Sequence, residues 1–403
     1  MYDLAVIGGG ASGIVAAITA KRENETLNIV IFDSMQRIGK KILATGNGRC
    51  NLSNTNANDH NYRNKDFAHN IINQFDVNKT IGFFYSIGLY TISDEEGRIY
   101  PMSNAAASVV DSLRLECDRL GITIITDEKI TSLKKDSKFF IINGRYRADK
   151  VIIACGGKAS PSQGSDGSGY DLLKAMGHNI IDPLPALVQL TSDNKIVRSF
   201  KGLRVKGNLR LYKENEQIGS ADGEILFTEY GLSGIACMDA QRLLCKHLKK
   251  EKCSVLIDLV PYFTKDEIYK RVKTIIQSNP HLRSEHLLSG FLPKKIGQGL
   301  IKCAYVKDNT PVGEISKENI VKICDLCKNF RVYLSGSKGF ENAQVTCGGA
   351  DVSQFDSDTL QSLLVDGLYC TGEALDVDGG CGGYNLQWAW SSGMAAGTDA
   401  AKK

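Results

Sequence analysis

The chain has 403 residues, of which 42% are hydrophobic and 23% charged, enough to build two or three domains around large cores. A net charge of +4 spread over that length makes no case for a nucleic-acid partner, although it mildly favours an anionic ligand. No apolar run reaches 18 residues, which excludes a membrane-spanning helix, and a first strand at residue 2 leaves no room for a signal peptide, so the expected compartment is the cytoplasm. Twelve cysteines in such a compartment read as small buried hydrophobes rather than disulfides. Cys324-Asp-Leu-Cys327 has no second pair at zinc spacing and reads as two cysteines on one helix, so no metal site is expected.

Taken in chain order, Tyr2–Ile7 is a short apolar run that predicts a strand. It enters Gly8-Gly9-Gly10-Ala11-Ser12-Gly13 and then a helical run from Ile14 to Lys21. A second apolar run, Ile29–Phe32, ends in Asp33, 20 residues after Gly13. Strand, glycine turn, helix and terminal acid at that spacing form a dinucleotide-binding βαβ unit. Gly8 serves the tight turn, Gly10 lets backbone approach a pyrophosphate, and Gly13 lets helix and strand pack closely. The helix start at Ala11 and Ser12 offers free N–H groups to phosphate. An acid at 33, followed by Ser34, suits the free ribose hydroxyls of FAD or NAD rather than NADP.

The next segment, Gly39 to Asn51, packs three glycines, three cations and two asparagines into 13 residues. Lys40, Lys41, Thr45, Gly46, Asn47, Gly48, Arg49, Cys50 and Asn51 therefore read as a loop wrapping an anionic cofactor. Asn104 to Leu120 has apolar residues along one helical face, with Asn104 as N-cap and Gly121 as stop. Ile122–Ile125 reads as a strand, and Asn143-Gly144 between two β-rich runs reads as a hairpin turn. Val151–Cys155 then returns to the parallel sheet and enters Gly156-Gly157. Pro183 and Pro185 suggest a boundary. Residues 186–260 are strand-rich around one helix near Ser233–Lys249. Thr264 to Lys328 is helical, divided by Pro280, Pro293 and Pro311. A strand Gly367–Cys370 leads into the glycine-dense loop Gly372–Gly383. The closing helix of small residues, Leu386–Ala401, is suited to packing on a sheet. A helix start after that loop can stabilise negative charge on a reduced cofactor.

Five strings are specific: residues 39–54 (Gly-Lys-Lys-Ile-Leu-Ala-Thr-Gly-Asn-Gly-Arg-Cys-Asn-Leu-Ser-Asn), 97–101, 223–234, 343–349 and 372–387 (Gly-Glu-Ala-Leu-Asp-Val-Asp-Gly-Gly-Cys-Gly-Gly-Tyr-Asn-Leu-Gln). In them the chain resembles the bacterial HI0933-like flavoproteins over residues 2 to about 399. One departure is Asn47, where the family more often has a third glycine; Asn tolerates positive φ, so the loop is expected to keep its shape. The resemblance implies an α/β fold in which a Rossmann-like FAD domain of the glutathione-reductase type is interrupted by a β-barrel-like insert and a small helical domain. The boundaries implied are 1–185 with 341–403 for FAD, 186–262 with 329–340 for the insert, and 263–328 for the helices. FAD is expected to be non-covalent, with contacts from the glycine turns above and from Ile130, Ala154, Cys155, Gly156, Gly157, Gly372, Glu373, Gly383, Tyr384, Asn385 and Leu386. NAD(P)H would act as a transient reductant, since no second nucleotide motif follows.

The resemblance implies an FAD-dependent oxidoreductase but does not choose the substrate, because members have been tied both to reduction of conjugated oxo-steroids and to oxidation of a small aminoketone. The first expectation is hydride reduction of a small or steroid-like oxo or enone compound through flavin N5. An oxidase of an amine or aminoketone is the alternative, and a flavin-binding sensor or electron-transfer protein is a second one. An RNA-modifying flavoenzyme would need a basic surface that +4 does not supply. The expected partner is a small-molecule substrate, without nucleic acid or membrane insertion, and the oligomeric state stays open. Arg49, Asn51, Tyr384 and Asn385 are the candidate proton donors in the flavin loops. Glu229-Tyr230 is a further candidate pair.

Overall fold

The computed structural model describes residues 1–402. By contact density it divides into two compact units, Met1–Ala186 together with the segment from Phe340 onward, and Leu187–Gly339.

The first unit is organised by a sheet whose parallel centre is Thr123–Ile125, Ile29–Phe32, Tyr2–Ile7 and Tyr146–Ile153, in that spatial order. Leu4, Val6, Val30, Ile31 and Ile152 are fully buried, as expected where both faces of a parallel sheet are covered. Tyr146–Ile153 is one continuous strand, where the sequence reading has a hairpin arm followed by a separate strand. Its first half pairs antiparallel with Phe140–Ile142 across the Asn143-Gly144 turn, and its second half pairs parallel with both Tyr2–Ile7 and Leu368–Cys370. Helix Ala106–Arg119 begins one residue later than expected, because Asn104 takes a positive φ of 55° and Ala105 becomes the N-cap.

Pro183 and Pro185 lie inside a strand, Ile180–Ala186, which pairs antiparallel with Val345–Ala350. The register shifts between Ile181 and Leu184, so Pro183 falls in the irregular stretch, where no ladder N–H is required of it. The C-terminal helix, Tyr384–Ala400, packs along helix Ala11–Glu23, with its first turns also against strand Ser53–Asn54. A β-carbon on Gly393 would stand 2.5 Å from Ser12 O, and one on Gly397 would stand 2.4 Å from Ala16 O. The small residues thus serve a close helix–helix approach. A three-stranded sheet of Ser53–Asn54, Arg98–Pro101 and Thr91–Ser93 follows the Gly39–Asn51 loop.

The second unit is an antiparallel seven-stranded sheet ordered Phe330–Tyr333, Cys253–Asp258, Arg204–Lys213, Glu216–Phe227, Gly231–Ser233, Leu190–Thr191 and Gly336–Ser337. Its two edge strands are consecutive in the chain, joined only by Leu334-Ser335, so the sheet must curl to bring its edges together. Ser192 Oγ donates across that closure to Tyr333 O at 2.7 Å. Helices Lys265–Ser278, Lys294–Cys303 and Lys317–Lys328 share one core with the sheet, in which Val255 and Ile257 meet Ile268, Leu300 and Ile323. Cys324 and Cys327 are both buried in that core, and burial pushes the Cys327 thiol up to about 12.

Candidate active site

Strand Tyr2–Ile7 ends at Gly8, whose φ of 111° turns the chain sharply against the Ala154 backbone; a β-carbon there would meet Ala154 O at 2.4 Å. Gly13 is equally constrained, its β-carbon position lying 2.0 Å from Gly8 O. Gly10 is different. A β-carbon there would have no neighbour nearer than Ala154 O at 4.0 Å, so nothing in the protein requires glycine at this position. Gly10 is the N-cap of helix Ala11–Glu23, whose first turn has no side-chain cap and no acid. An open approach over uncapped N–H groups is what a phosphate requires.

Asp33 follows Ile29–Phe32 and closes over this turn. Its Oδ2 accepts from Gly9 N at 2.8 Å and its Oδ1 from Met35 N at 2.7 Å. Burial pushes its carboxyl above the usual aspartate range, against the opposing pull of the Met35 and Gly9 N–H groups. A carboxylate has further lone pairs for a hydroxyl beside these two donors. Ser34 is exposed next to it, and Ile130 is buried in the core of the unit.

The Gly39–Asn51 loop winds through left-handed backbone. Gly46, Asn47, Gly48 and Cys50 have φ of 57°, 56°, 82° and 59°, so Asn47 adopts the conformation a glycine would take. Thr45 Oγ1 donates to Ile42 O at 2.7 Å, and burial pushes the Cys50 thiol up to about 12. Lys40 Nζ donates to Ser162 O at 3.0 Å. Arg49 is exposed, its guanidinium 4.6 Å above the Tyr100 ring.

Lys41 is ion-paired with Glu373, Nζ to Oε2 at 2.7 Å. Glu373 Oε1 accepts from Thr346 N at 2.9 Å and Thr346 Oγ1 at 2.8 Å. Thr346 Oγ1 in turn accepts from Lys158 N at 2.7 Å, one residue after Gly156-Gly157. Glu373 therefore ties three segments together: the cationic loop, strand Val345–Ala350 and the turn after strand Tyr146–Ile153. Sequence reasoning placed Glu373 at the cofactor but missed Thr346 as its partner, although Thr346 lies within one of the specific strings.

The C-terminal helix starts at Gly383, with φ of 101°, and its first turn again lacks a side-chain cap and an acid. Gly383 packs so tightly that a β-carbon would stand 2.3 Å from Ser53 O. Asn385 is a fastener here. Its Oδ1 accepts from Gly379 N at 2.8 Å, and its amide donates to Gly379 O and Gly380 O at 2.9 and 3.1 Å. Both ends of the side chain are engaged within the loop, which argues against the proton-donor role expected of it. Tyr384 O accepts from Tyr62 OH at 2.9 Å. Leu386 packs at the edge of the core, and Gln387 is fully buried among Ser53, Thr80 and Ser391. Cys155 Sγ donates to Ile7 O at 3.2 Å, and burial pushes its thiol up to about 12. In the second unit, Glu229 is exposed and ion-paired with Lys201, and Lys338 Nζ stands 4.6 Å over the Tyr230 ring.

Asn51 departs from this pattern of satisfied groups: its Oδ1 is buried and has no hydrogen-bond partner, as is true also of Ser165 Oγ and Tyr170 OH. Buried acceptors and hydroxyls are seldom left so. Open space at Gly10, two uncapped helix starts and an orphan amide oxygen in the cationic loop together fit a bound dinucleotide.

The family model described as HI0933-like protein Rossmann domain matches residues 2–399. The chain belongs to the HI0933-like family. The chain is 40% identical to the 3-dehydro-bile acid delta(4,6)-reductase of Clostridium scindens, covering 100% of both chains. It is 29% identical to the ribosomal RNA dihydrouridine synthase of Haemophilus influenzae, covering 97% of this chain and 96% of that protein. In fold it is similar to 3-ketosteroid delta1-dehydrogenase from Sterolibacterium denitrificans, with a TM-score of 0.53 at 11% identity over 99% of each chain. This HI0933-like protein is an FAD-dependent oxidoreductase with a Rossmann-like FAD-binding domain. No described helix is long and apolar enough to cross a membrane.

Proposed function

We propose that the protein reduces a carbon–carbon double bond conjugated to a carbonyl, drawing its electrons from NAD(P)H. The observation that carries this reading is a chemistry shared by two full-length relatives with unlike substrates. A 3-oxo steroid with double bonds at 4 and 6 is a conjugated dienone, and dihydrouridine is uridine saturated at a double bond conjugated to a ring carbonyl. A 40% identical bile-acid reductase and a 29% identical dihydrouridine synthase thus describe one reaction on two scaffolds.

When bound, FAD supplies the hydride transfer that links nicotinamide to substrate. The protein's share is binding, orientation and charge. The Ala11–Glu23 helix start and Gly10 hold the pyrophosphate, and Asp33 holds the adenosine ribose. Lys40 and the left-handed Thr45–Asn51 turn would line the cofactor, and the unpartnered Asn51 Oδ1 would be free to accept from it. The uncapped start of the Tyr384–Ala400 helix stabilises negative charge beside it. Arg49 and Tyr384 remain the candidates to hold a proton near substrate, with Asn51 third.

Anaerobic mixing of the flavin-loaded protein with NADH and with NADPH tests this. Bleaching of the flavin band by either, followed by recovery on adding a conjugated enone, is the expected course. A flavin bleached only by an amine or aminoketone, with peroxide released in air, would replace the reading by the oxidase alternative.

A further inference from the structure

Past strand Tyr146–Ile153 the chain turns through Gly156, with φ of 73°, and Gly157, then returns toward Asp33. Three contacts hold the returning segment. Ser162 O accepts from Lys40 Nζ at 3.0 Å, a β-carbon on Gly164 would stand 3.0 Å from Met35 Cγ, and Asp166 pairs with Lys129, Oδ2 to Nζ at 2.7 Å. Met35 N is also the donor to Asp33 Oδ1, so Gly164 abuts the residue that orients the ribose acid. Ser165 lies between these anchors and is 3% exposed. Its Oγ stands 2.9 Å from the β-carbon position of Gly156, next to Cys155, whose N lies 2.8 Å from that of Gly8. The hydroxyl thus stands beside the strand ends that carry the nucleotide turn, yet it has no hydrogen-bond partner.

Tyr170 follows on helix Ser168–Ala175. Gly167 N donates to Gly157 O at 3.0 Å, and a β-carbon on Gly167 would be 3.5 Å from both the Tyr170 ring and the Lys158 side chain. Lys158 N donates to Thr346 Oγ1, which donates to Glu373, so Tyr170 stands at the turn that Glu373 ties to the cationic loop. The residue is 4% exposed, and its OH too has no partner. Burial first, and then the Glu373 carboxylate, push the phenol well above the ordinary tyrosine range, so it keeps its proton and is a donor. Alanine and phenylalanine would fill the same space without stranding a hydroxyl, so packing alone does not call for either residue.

We infer that Ser165 and Tyr170 donate to the bound FAD, Ser165 to its ADP half and Tyr170 to its flavin half. The division follows the neighbours. Ser165 shares its surroundings with Gly8 and, through Met35, with Asp33, whereas Tyr170 belongs to the Glu373 side, where the second glycine loop begins. Phosphate oxygens on one half, and ribityl and carbonyl oxygens on the other, are the acceptors these hydroxyls lack. The inference rests on the FAD reading of the cleft and is independent of the substrate.

Flavin fluorescence on dilution of the flavin-loaded protein gives the dissociation constant for FAD, and displacement by ADP gives that for the nucleotide half alone. A hydrogen bond from a buried donor is worth about tenfold in affinity. Ser165→Ala should therefore weaken FAD and ADP alike by about tenfold. Tyr170→Phe should weaken FAD by about tenfold and leave ADP within about twofold of wild type. Denaturation midpoints over a range of added FAD separate a cofactor contact from a contact of the fold. Those of variant and wild type should coincide at low FAD and part as FAD rises. A constant gap at every FAD concentration, or unchanged FAD affinity in either variant, overturns the inference in favour of packing or a buried water. A Tyr170→Phe variant that loses ADP as strongly as FAD overturns the division between halves. A wild-type protein that carries no flavin removes the FAD reading itself, whereas unchanged variants of a yellow wild type remove this inference alone.

Discussion

Asn51 Oδ1 lies 2.9 Å from the point a β-carbon would occupy on Gly383, and it is buried there without a hydrogen-bond partner. An unsatisfied buried acceptor costs about 1–3 kcal/mol, a cost that a donor on the cofactor would remove. Asn51→Ala should leave the melting temperature of the cofactor-free protein unchanged or higher and weaken FAD binding by about tenfold. A lower melting temperature with full FAD affinity would show that the amide serves the fold.

The glycines of the first turn separate in the same manner. Gly10→Val should fold and purify without a flavin band, because its side chain enters open space over the helix start. Gly13→Val should fail to fold at all, with its β-carbon position 2.0 Å from Gly8 O. A yellow Gly10→Val protein would remove the pyrophosphate assignment.

Asp33→Ala should weaken FAD binding at least tenfold, since a charge-assisted hydrogen bond is worth about 1.5–3 kcal/mol. The same change also orphans Gly9 N–H and Met35 N–H, so some stability is lost with it. Asp33→Asn keeps one acceptor and separates the two effects. Stability close to wild type with FAD affinity still reduced is expected of it by calorimetry and flavin fluorescence.

Much of the first unit was legible because its signals are local. The glycine turn, the acid at its fixed distance and the Asn-Gly hairpin each depend on neighbouring residues, and Asn47 could be read as a glycine substitute from its tolerance of positive φ. Features that depend on distant partners were not legible. Pro183 reads as a breaker until strand Val345–Ala350 supplies an irregular register that accommodates it. The small residues of the C-terminal helix read as facing a sheet until Ser12 O and Ala16 O are seen under Gly393 and Gly397. Asn385 reads as a proton donor because its own hydrogen bonds, to Gly379 and Gly380, form only once the loop closes.

Glu116, 7% exposed, joins Arg119 and Arg22, with Arg22 Nε at 3.0 Å and Arg119 Nε at 2.7 Å. Arg119 first and then Arg22 hold its carboxyl below the ordinary 4.5, against burial, so its stabilisation is complete above that value and lost as pH falls through the lowered one. Glu116→Gln should therefore cost about 1–3 kcal/mol at neutral pH, and the difference should shrink in acid. Chemical denaturation at several pH values checks this; a difference that grows in acid would reverse the assignment.

The central claim, that this flavoprotein saturates a conjugated double bond with electrons from NAD(P)H, is tested most directly by anaerobic turnover with mass analysis of the product. The flavin-loaded protein would be supplied with NADH or NADPH and either a 3-oxo-4,6-diene steroid or a uridine-containing RNA. The account predicts stoichiometric oxidation of the nicotinamide and a product heavier by two hydrogens. Unchanged substrates with unconsumed nicotinamide, while an aminoketone is oxidised in air with release of peroxide, would contradict it.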